Sequence, residues 1–177
     1  MRHVISALVR NRPGVLSHVA GLFSSRGFNI DSLTVGETED PGASRMTIVA
    51  RGDESVLEQI RKQLGKLINV VKVYDFSRVD YVDRDLCLVK VHAPGGKKPE
   101  IILVGDAFEA KVVDITRDEL MFEVTGPEAK INACIATLRP YGLKEVVRTG
   151  RIAMARGPKM EGDEREVVPR RTGPVAG

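Results

Sequence analysis

The run Asn11-Arg12-Pro13-Gly14-Val15-Leu16, set between an apolar strand pattern and an apolar helix pattern, restricts the fold more than any other segment. Pro13 fixes its own φ near the helical value and drives Arg12 out of helical geometry, so a helix is predicted to begin at Pro13. Gly14 removes a side chain where the first free N–H groups of that helix point outward. Those groups and the helix dipole favour an anion, and a small carboxylate suits the space. Before the turn, residues 1–9 are apolar on both alternations (Val4, Ile5, Ala7, Leu8, Val9), the pattern of a central strand.

Val15, Leu16, Val19, Leu22 and Phe23 recur at helical spacing, and Gly27 is placed to close that helix in a left-handed conformation. Residues 28–38 read as a strand, Asp40-Pro41-Gly42 as a turn, and residues 45–51 as the returning strand. Asp53 is placed to cap a second helix burying Val56, Leu57, Ile60, Leu64 and Leu67, and residues 69–76 complete a βαββαβ order. The order then repeats. Residues 86–92 are a strand, 99–108 a helix, 110–116 and 120–125 a hairpin around Arg117-Asp118, 127–139 a helix, and 143–148 the last strand. The predicted fold class is α+β, with two ferredoxin-like βαββαβ halves, each an α/β sandwich. The domains are expected at residues 1–77 and 78–157, divided within the polar piece 77–85, with a disordered Pro/Gly-rich charged tail at 158–177. Each half is small enough that association is expected to add buried surface.

Composition removes several functions. Net charge is +3, aromatics are 5% of the chain and Trp is absent, so no basic, aromatic-studded stripe for nucleic acid is expected. No window approaches the ~20 apolar residues of a membrane span, and no signal pattern opens the chain, so a cytoplasmic location is expected. Cys87 and Cys134 stand in apolar runs and read as buried free thiols. His3, His18 and His92 lack ligand spacing, the serines lack G-x-S-x-G context, and Gly95-Gly96-Lys97-Lys98 lacks Walker spacing. Asp83 and Asp85 read as a solvated strand entry, and the basic segment 148–156 as surface. Neither a catalytic residue nor a metal ligand emerges.

The runs N-R-P-G-V-L-S-H-V-A-G-L-F-S-S-R-G-F-N-I-D-S-L-T-V, S-R-M-T-I-V and L-E-Q-I-R-K-Q-L-G-K-L-I-N-V resemble the small regulatory subunits of acetolactate synthase (acetohydroxyacid synthase), whose N-terminal half is an ACT domain. The resemblance continues through E-I-I-L-V-G-D-A-F-E-A-K-V-V-D-I and V-V-R-T-G-R-I-A-M-A-R-G, and covers residues 1–157. It implies a non-catalytic chain that binds and activates the large, thiamine-diphosphate-dependent subunit. That enzyme condenses pyruvate with a second 2-keto acid on the way to valine, leucine and isoleucine. The chain is expected to confer feedback inhibition by valine or another branched-chain amino acid. Thiamine diphosphate, magnesium and FAD are expected on the catalytic subunit and no cofactor on this chain. The implied partners are that subunit, a second copy paired through the ACT domains, and the amino-acid effector.

The same resemblance puts the effector at Asn11, Gly14, Val15 and Leu16 of one copy and at Asn29 and Ile30 of its neighbour. Backbone N–H groups at Gly14, Val15 and Leu16 would meet the carboxylate. The amide oxygen of Asn11 or Asn29 would accept from the ammonium, while the other end of the amide would donate to the carboxylate. Without the resemblance, Asn11 reads equally as a turn residue, Gly14 as an aid to tight entry, and Asn29 as an edge-strand residue. The alternative of an amino-acid-sensing ACT-type transcription regulator would require a helix-turn-helix or a basic stripe, and neither is visible in the sequence.

Overall fold

The computed structural model describes residues 1–157; the tail expected to be disordered lies outside them. Two compact units result. One spans Met1–Tyr81 and takes up the described residues after Met154, and the other is Val82–Met154.

The first unit runs β1 (Arg2–Arg10), α1 (Val15–Ser25), β2 (Ile30–Glu37), β3 (Ala43–Arg51), α2 (Glu54–Leu64) and β4 (Val70–Asp75). Its antiparallel sheet has the order β2-β3-β1-β4, so the strand that is apolar on both alternations is interior, as such a strand must be. Ile5, Ala7 and Val9 of β1 and Met46, Ile48 and Ala50 of β3 form one face, paired in register Ile5↔Ile48 and Ala7↔Met46. Val15, Val19 and Phe23 of α1 and Leu57, Ile60 and Leu64 of α2 complete a single cluster with that face. Phe23 meets Phe28 edge-on, their centroids 6.1 Å apart. The second helix starts where its cap residue dictates, because the Asp53 carboxylate accepts the Val56 N–H at 2.9 Å. Such a cap contributes about 1 kcal/mol.

The first helix starts later than Pro13. Gly14 has φ +83°, and the helix begins at Val15. A left-handed residue cannot lie inside a right-handed helix, so Pro13 belongs to the turn. Gly27, with φ +67°, ends the helix as expected.

The second unit contains most of β5 (Tyr81–His92), then α3 (Lys98–Ala107), β6 (Lys111–Ile115), β7 (Glu119–Gly126), α4 (Glu128–Leu138), β8 (Leu143–Arg148) and most of β9 (Ile152–Ala155). The sheet order is β6-β7-β5-β8, and β9 adds to β5. Cys87, Val89 and Val91, with Leu120, Phe122 and Val124, face Ile101, Ile131, Cys134 and Leu138. Gly105 is required by this packing. A Cβ there would stand 2.4 Å from the Phe122 ring. Burial pushes the Cys87 thiol up to about 11 and raises that of Cys134 as well, and both are free.

The polar piece 77–85 already carries strand from Tyr81, and segment 148–156, read as surface, includes the short strand β9. One expectation changes. Asp85, read as solvated, is 4% exposed. It accepts from Arg148 Nε at 2.7 Å and also from Arg148 Nη2, and the Thr149 hydroxyl donates to its other oxygen at 3.3 Å. Arg148 continues to Asn132 Oδ1 at 3.0 Å. Arg151 similarly joins Asp83, at 3.3 Å, and Glu128. These acids sit at the strand entry because arginines some 65 residues later return beside them, and a local reading of the sequence does not see that pairing.

Two outcomes are expected. Asp85→Ala strands the Arg148 guanidinium and should lower the urea-unfolding free energy by about 2 kcal/mol, less than for a fully buried pair because Arg148 reaches water. Cys87 and Cys134 should resist iodoacetamide at pH 8 in the native chain and both react once it is unfolded in urea, as mass spectrometry will read out.

Candidate functional site

The end of β1 turns sharply. Asn11 N–H donates to Gly42 O at 2.8 Å and Arg12 N–H to Arg10 O at 3.0 Å. Gly14 follows in its left-handed conformation, and no side chain caps α1. The Val15 N–H turns back to Arg12 O at 3.4 Å, and the His18 N–H bonds Gly14 O. The N–H groups of Gly14, Leu16 and Ser17 meet no acceptor among the described residues. A Cβ on Gly14 would meet nothing within 4 Å, so the space beside Gly14 is open. An uncapped, dipole-bearing helix start with open space beside it suits a carboxylate.

The wall beside this opening is the β2–β3 hairpin. Asp40 Oδ1 accepts the Gly42 N–H at 2.8 Å, and Ala43 N–H closes the turn on Asp40 O at 2.9 Å. Asn11 Nδ2 donates to Pro41 O and to Glu37 Oε1, both at 3.1 Å. Asn11 therefore does serve the turn, as its plainer reading required, while its amide oxygen stays available. Leu16 is 46% exposed and can flank a ligand. Val15 cannot do so with its side chain, which is 4% exposed within the helix–sheet core. Its N–H, expected to meet the carboxylate, is turned back to Arg12 O, which leaves the N–H groups of Gly14 and Leu16 for that role.

Asn29 and Ile30 lie elsewhere. Asn29 precedes β2, where its backbone O accepts the Arg51 N–H, and Ile30 pairs with Ala50. In the β1–β3 ladder Arg2 pairs with Arg51 at this end and Arg10 with Ala43 at the other. Eight residue steps at ~3.3 Å set the two ends roughly 26 Å apart. Within one chain the six expected residues therefore form two groups, Asn11, Gly14, Val15 and Leu16 at one end of the sheet and Asn29 and Ile30 at the opposite end.

A charge cluster not foreseen from the sequence fixes the Asn29 end. Asn29 Nδ2 donates to Asp31 Oδ1 at 3.0 Å. Arg51 Nε donates to both oxygens of that carboxylate, at 2.9 and 2.8 Å, and Arg2 Nε lies 2.9 Å away. The Arg51 hydrogen bond, with the charges of Arg51 and Arg2, holds the Asp31 carboxyl below its ordinary pKa against a smaller effect of burial. The only sequence signal was the two-residue spacing Asn29-x-Asp31, which places both on one strand face.

Among the described residues no group of three or more His, Cys, Asp or Glu could hold a metal ion. No helix there is long and apolar enough to cross a membrane. His3 Nε2 lies 3.1 Å from Gly52 O, a structural role.

Comparison with known proteins agrees with the resemblance drawn from the sequence. The family described as "AHAS small subunit-like ACT domain" matches residues 5–72, and "Small subunit of acetolactate synthase" matches residues 84–157. A probable acetolactate synthase small subunit of Archaeoglobus fulgidus is 54% identical, over 90% of this chain and 99% of its own. The corresponding Methanothermobacter thermautotrophicus protein is 56% identical over 88% and 93%. The crystal structure of the Thermotoga maritima acetolactate synthase small subunit superposes with a TM-score of 0.82 at 42% identity, covering 89% of this chain and 99% of that one. With both halves matched, the chain belongs to the family of acetolactate synthase small subunits, the regulatory partners of the catalytic subunit in branched-chain amino acid biosynthesis, and its N-terminal unit is their ACT domain.

Proposed function

We propose that this chain binds and activates the catalytic subunit of acetolactate synthase and makes it sensitive to a branched-chain amino acid, valine in the first instance. The observation that carries the reading is the opening at Gly14, an uncapped helix N-terminus with Asn11 and free space beside it. Its N–H groups receive the effector carboxylate. Leu16 and the neighbour's Ile30 flank the isopropyl group, whose burial contributes roughly 1.5–3 kcal/mol.

The distance between the two residue groups supports completion by a second copy. β2 is the outer strand of its sheet. Two β2 edges pairing antiparallel about a twofold axis between Leu33 and Thr34 set Ile30 of one copy opposite Glu37 of the other. Asn29 of one copy then approaches Asn11 of its partner, and two equivalent effector sites form at the seam. Valine favours the dimer arrangement in which these groups close on it. The catalytic subunit responds to the extent that it binds the two arrangements differently. In this reading thiamine diphosphate, magnesium and FAD reside on the catalytic subunit, and this chain carries none of them.

Gly14→Asp tests the site with the reconstituted enzyme, since it puts a carboxylate where the effector's should lie. Activation should persist and valine inhibition should vanish; unchanged valine sensitivity contradicts the reading. Gly14→Ala is the control for backbone strain alone. It should cost about 1 kcal/mol in thermal stability while retaining valine inhibition.

A further inference from the structure

The two asparagines that flank the opening in the proposed dimer are each anchored by groups that only accept hydrogen bonds. Asn11 Nδ2 faces the Glu37 carboxylate and the Pro41 carbonyl. Asn29 Nδ2 faces the Asp31 carboxylate. Turning either amide over would set oxygen against oxygen, so the orientation follows from the chemistry of the neighbours. Asp31 is itself held as an anion by Arg51 and Arg2. Both hydrogens of Asn11 Nδ2 and one of Asn29 Nδ2 are therefore engaged within the chain, and no donor among the described residues meets either Oδ1.

We infer that Glu37 and Asp31 are positioning residues that set the polarity of the effector site, so that Asn11 and Asn29 both present oxygen and the site selects ligands carrying a free ammonium. This inference rests on the proposed effector site and deepens it. The sequence left open which end of each amide meets which ligand group; the anchoring acids present the oxygen of both, and Asn11 has no amide hydrogen left to donate. The carboxylate is left to the N–H groups at the start of α1. The consequence is a choice between chemical classes. A 2-keto acid has the carboxylate and side chain of its amino acid but brings a carbonyl oxygen to the place where two amide oxygens converge. The site thus takes the α-amino acid and rejects the keto acid of the same skeleton, which belongs to the class on which acetolactate synthase acts.

The two acids contribute unequally. Glu37 is exposed, and its second oxygen adds negative charge on the ammonium side of Asn11. The charge of Asp31 is offset by two arginines, so its contribution is orientation alone.

Calorimetric titration of the full-length chain with L-valine and with 3-methyl-2-oxobutanoate tests this. The native chain should prefer valine by at least about 100-fold, since a site built for hydrogen bonds rejects an analogue that cannot make them. Glu37→Gln keeps size, removes the charge and loosens the constraint on Asn11, leaving the Pro41 carbonyl as its one obligate acceptor. It should weaken valine about 10-fold and leave the keto acid unchanged or tighter, so that the ratio narrows. Asp31→Asn should narrow the ratio less. Because Asp31 also joins Arg2 and Arg51, its variant is checked by thermal melting, and Glu37→Gln carries the test if it fails to fold. The ratio is the decisive reading, since a merely structural loss weakens both ligands together. An unchanged ratio in Glu37→Gln, with valine still bound at a site that Gly14→Asp abolishes, overturns the polarity inference and leaves the effector site standing. Binding of neither ligand to the native chain overturns both.

Discussion

The backbone at Gly14 is the constraint on which the rest depends. A positive φ at this one residue ends the strand's direction, delays the helix to Val15, and leaves its first N–H groups without a side-chain cap. Any residue with a Cβ is strained there, and a capping side chain would fill the place proposed for the effector carboxylate. The same turn sends the Val15 side chain inward to the core while its backbone borders the opening. One backbone conformation thus joins the packing of the first unit to the chemistry at its end.

The length of the sheet supplies the second constraint. Nine residues of β1 separate the Gly14 opening from the arginine-held end where Asn29 lies. No side chain spans such a distance, so a site that uses both groups draws them from two molecules. The outer strand β2 runs between these ends at the edge of its sheet, the position at which a second copy can pair. Oligomer formation is in this account a geometric condition of ligand binding, and a change in pairing is the natural means of passing a signal to a catalytic partner.

Much of this was legible in the sequence where the determinants are local. Asp53 caps α2, Gly27 ends α1, and the alternation of Cys87, Val89 and Val91 marks an inward face, each as its own neighbours dictate. The misread places have distant partners. Asp85 looked solvated because its arginine stands 63 positions away. β9 is a four-residue strand behind a glycine, with Ile152 and Met154 exposed, so its pattern did not separate it from a surface tail. The start of α1 was misplaced because proline's preference was given weight over the glycine that follows it. Glu37 was invisible for the same reason as Asp85, and of the contacts of Asp31 only the one to Asn29 is local, its arginines standing 20 and 29 positions away. Their significance lies in which side chains fold back onto them.

The central claim, a site divided between two copies, is tested most directly by mixing. Gly14→Asp damages one half of the site and Asn29→Ala the other, so neither homodimer should bind valine. When the two variants are unfolded together and refolded as an equal mixture, each mixed dimer holds one site with both defects and one intact site. Calorimetry should then recover binding at about a quarter of all sites, for random pairing of two copies. No recovery on mixing, with both variants folded and dimeric, would place the whole site within a single chain and contradict the account.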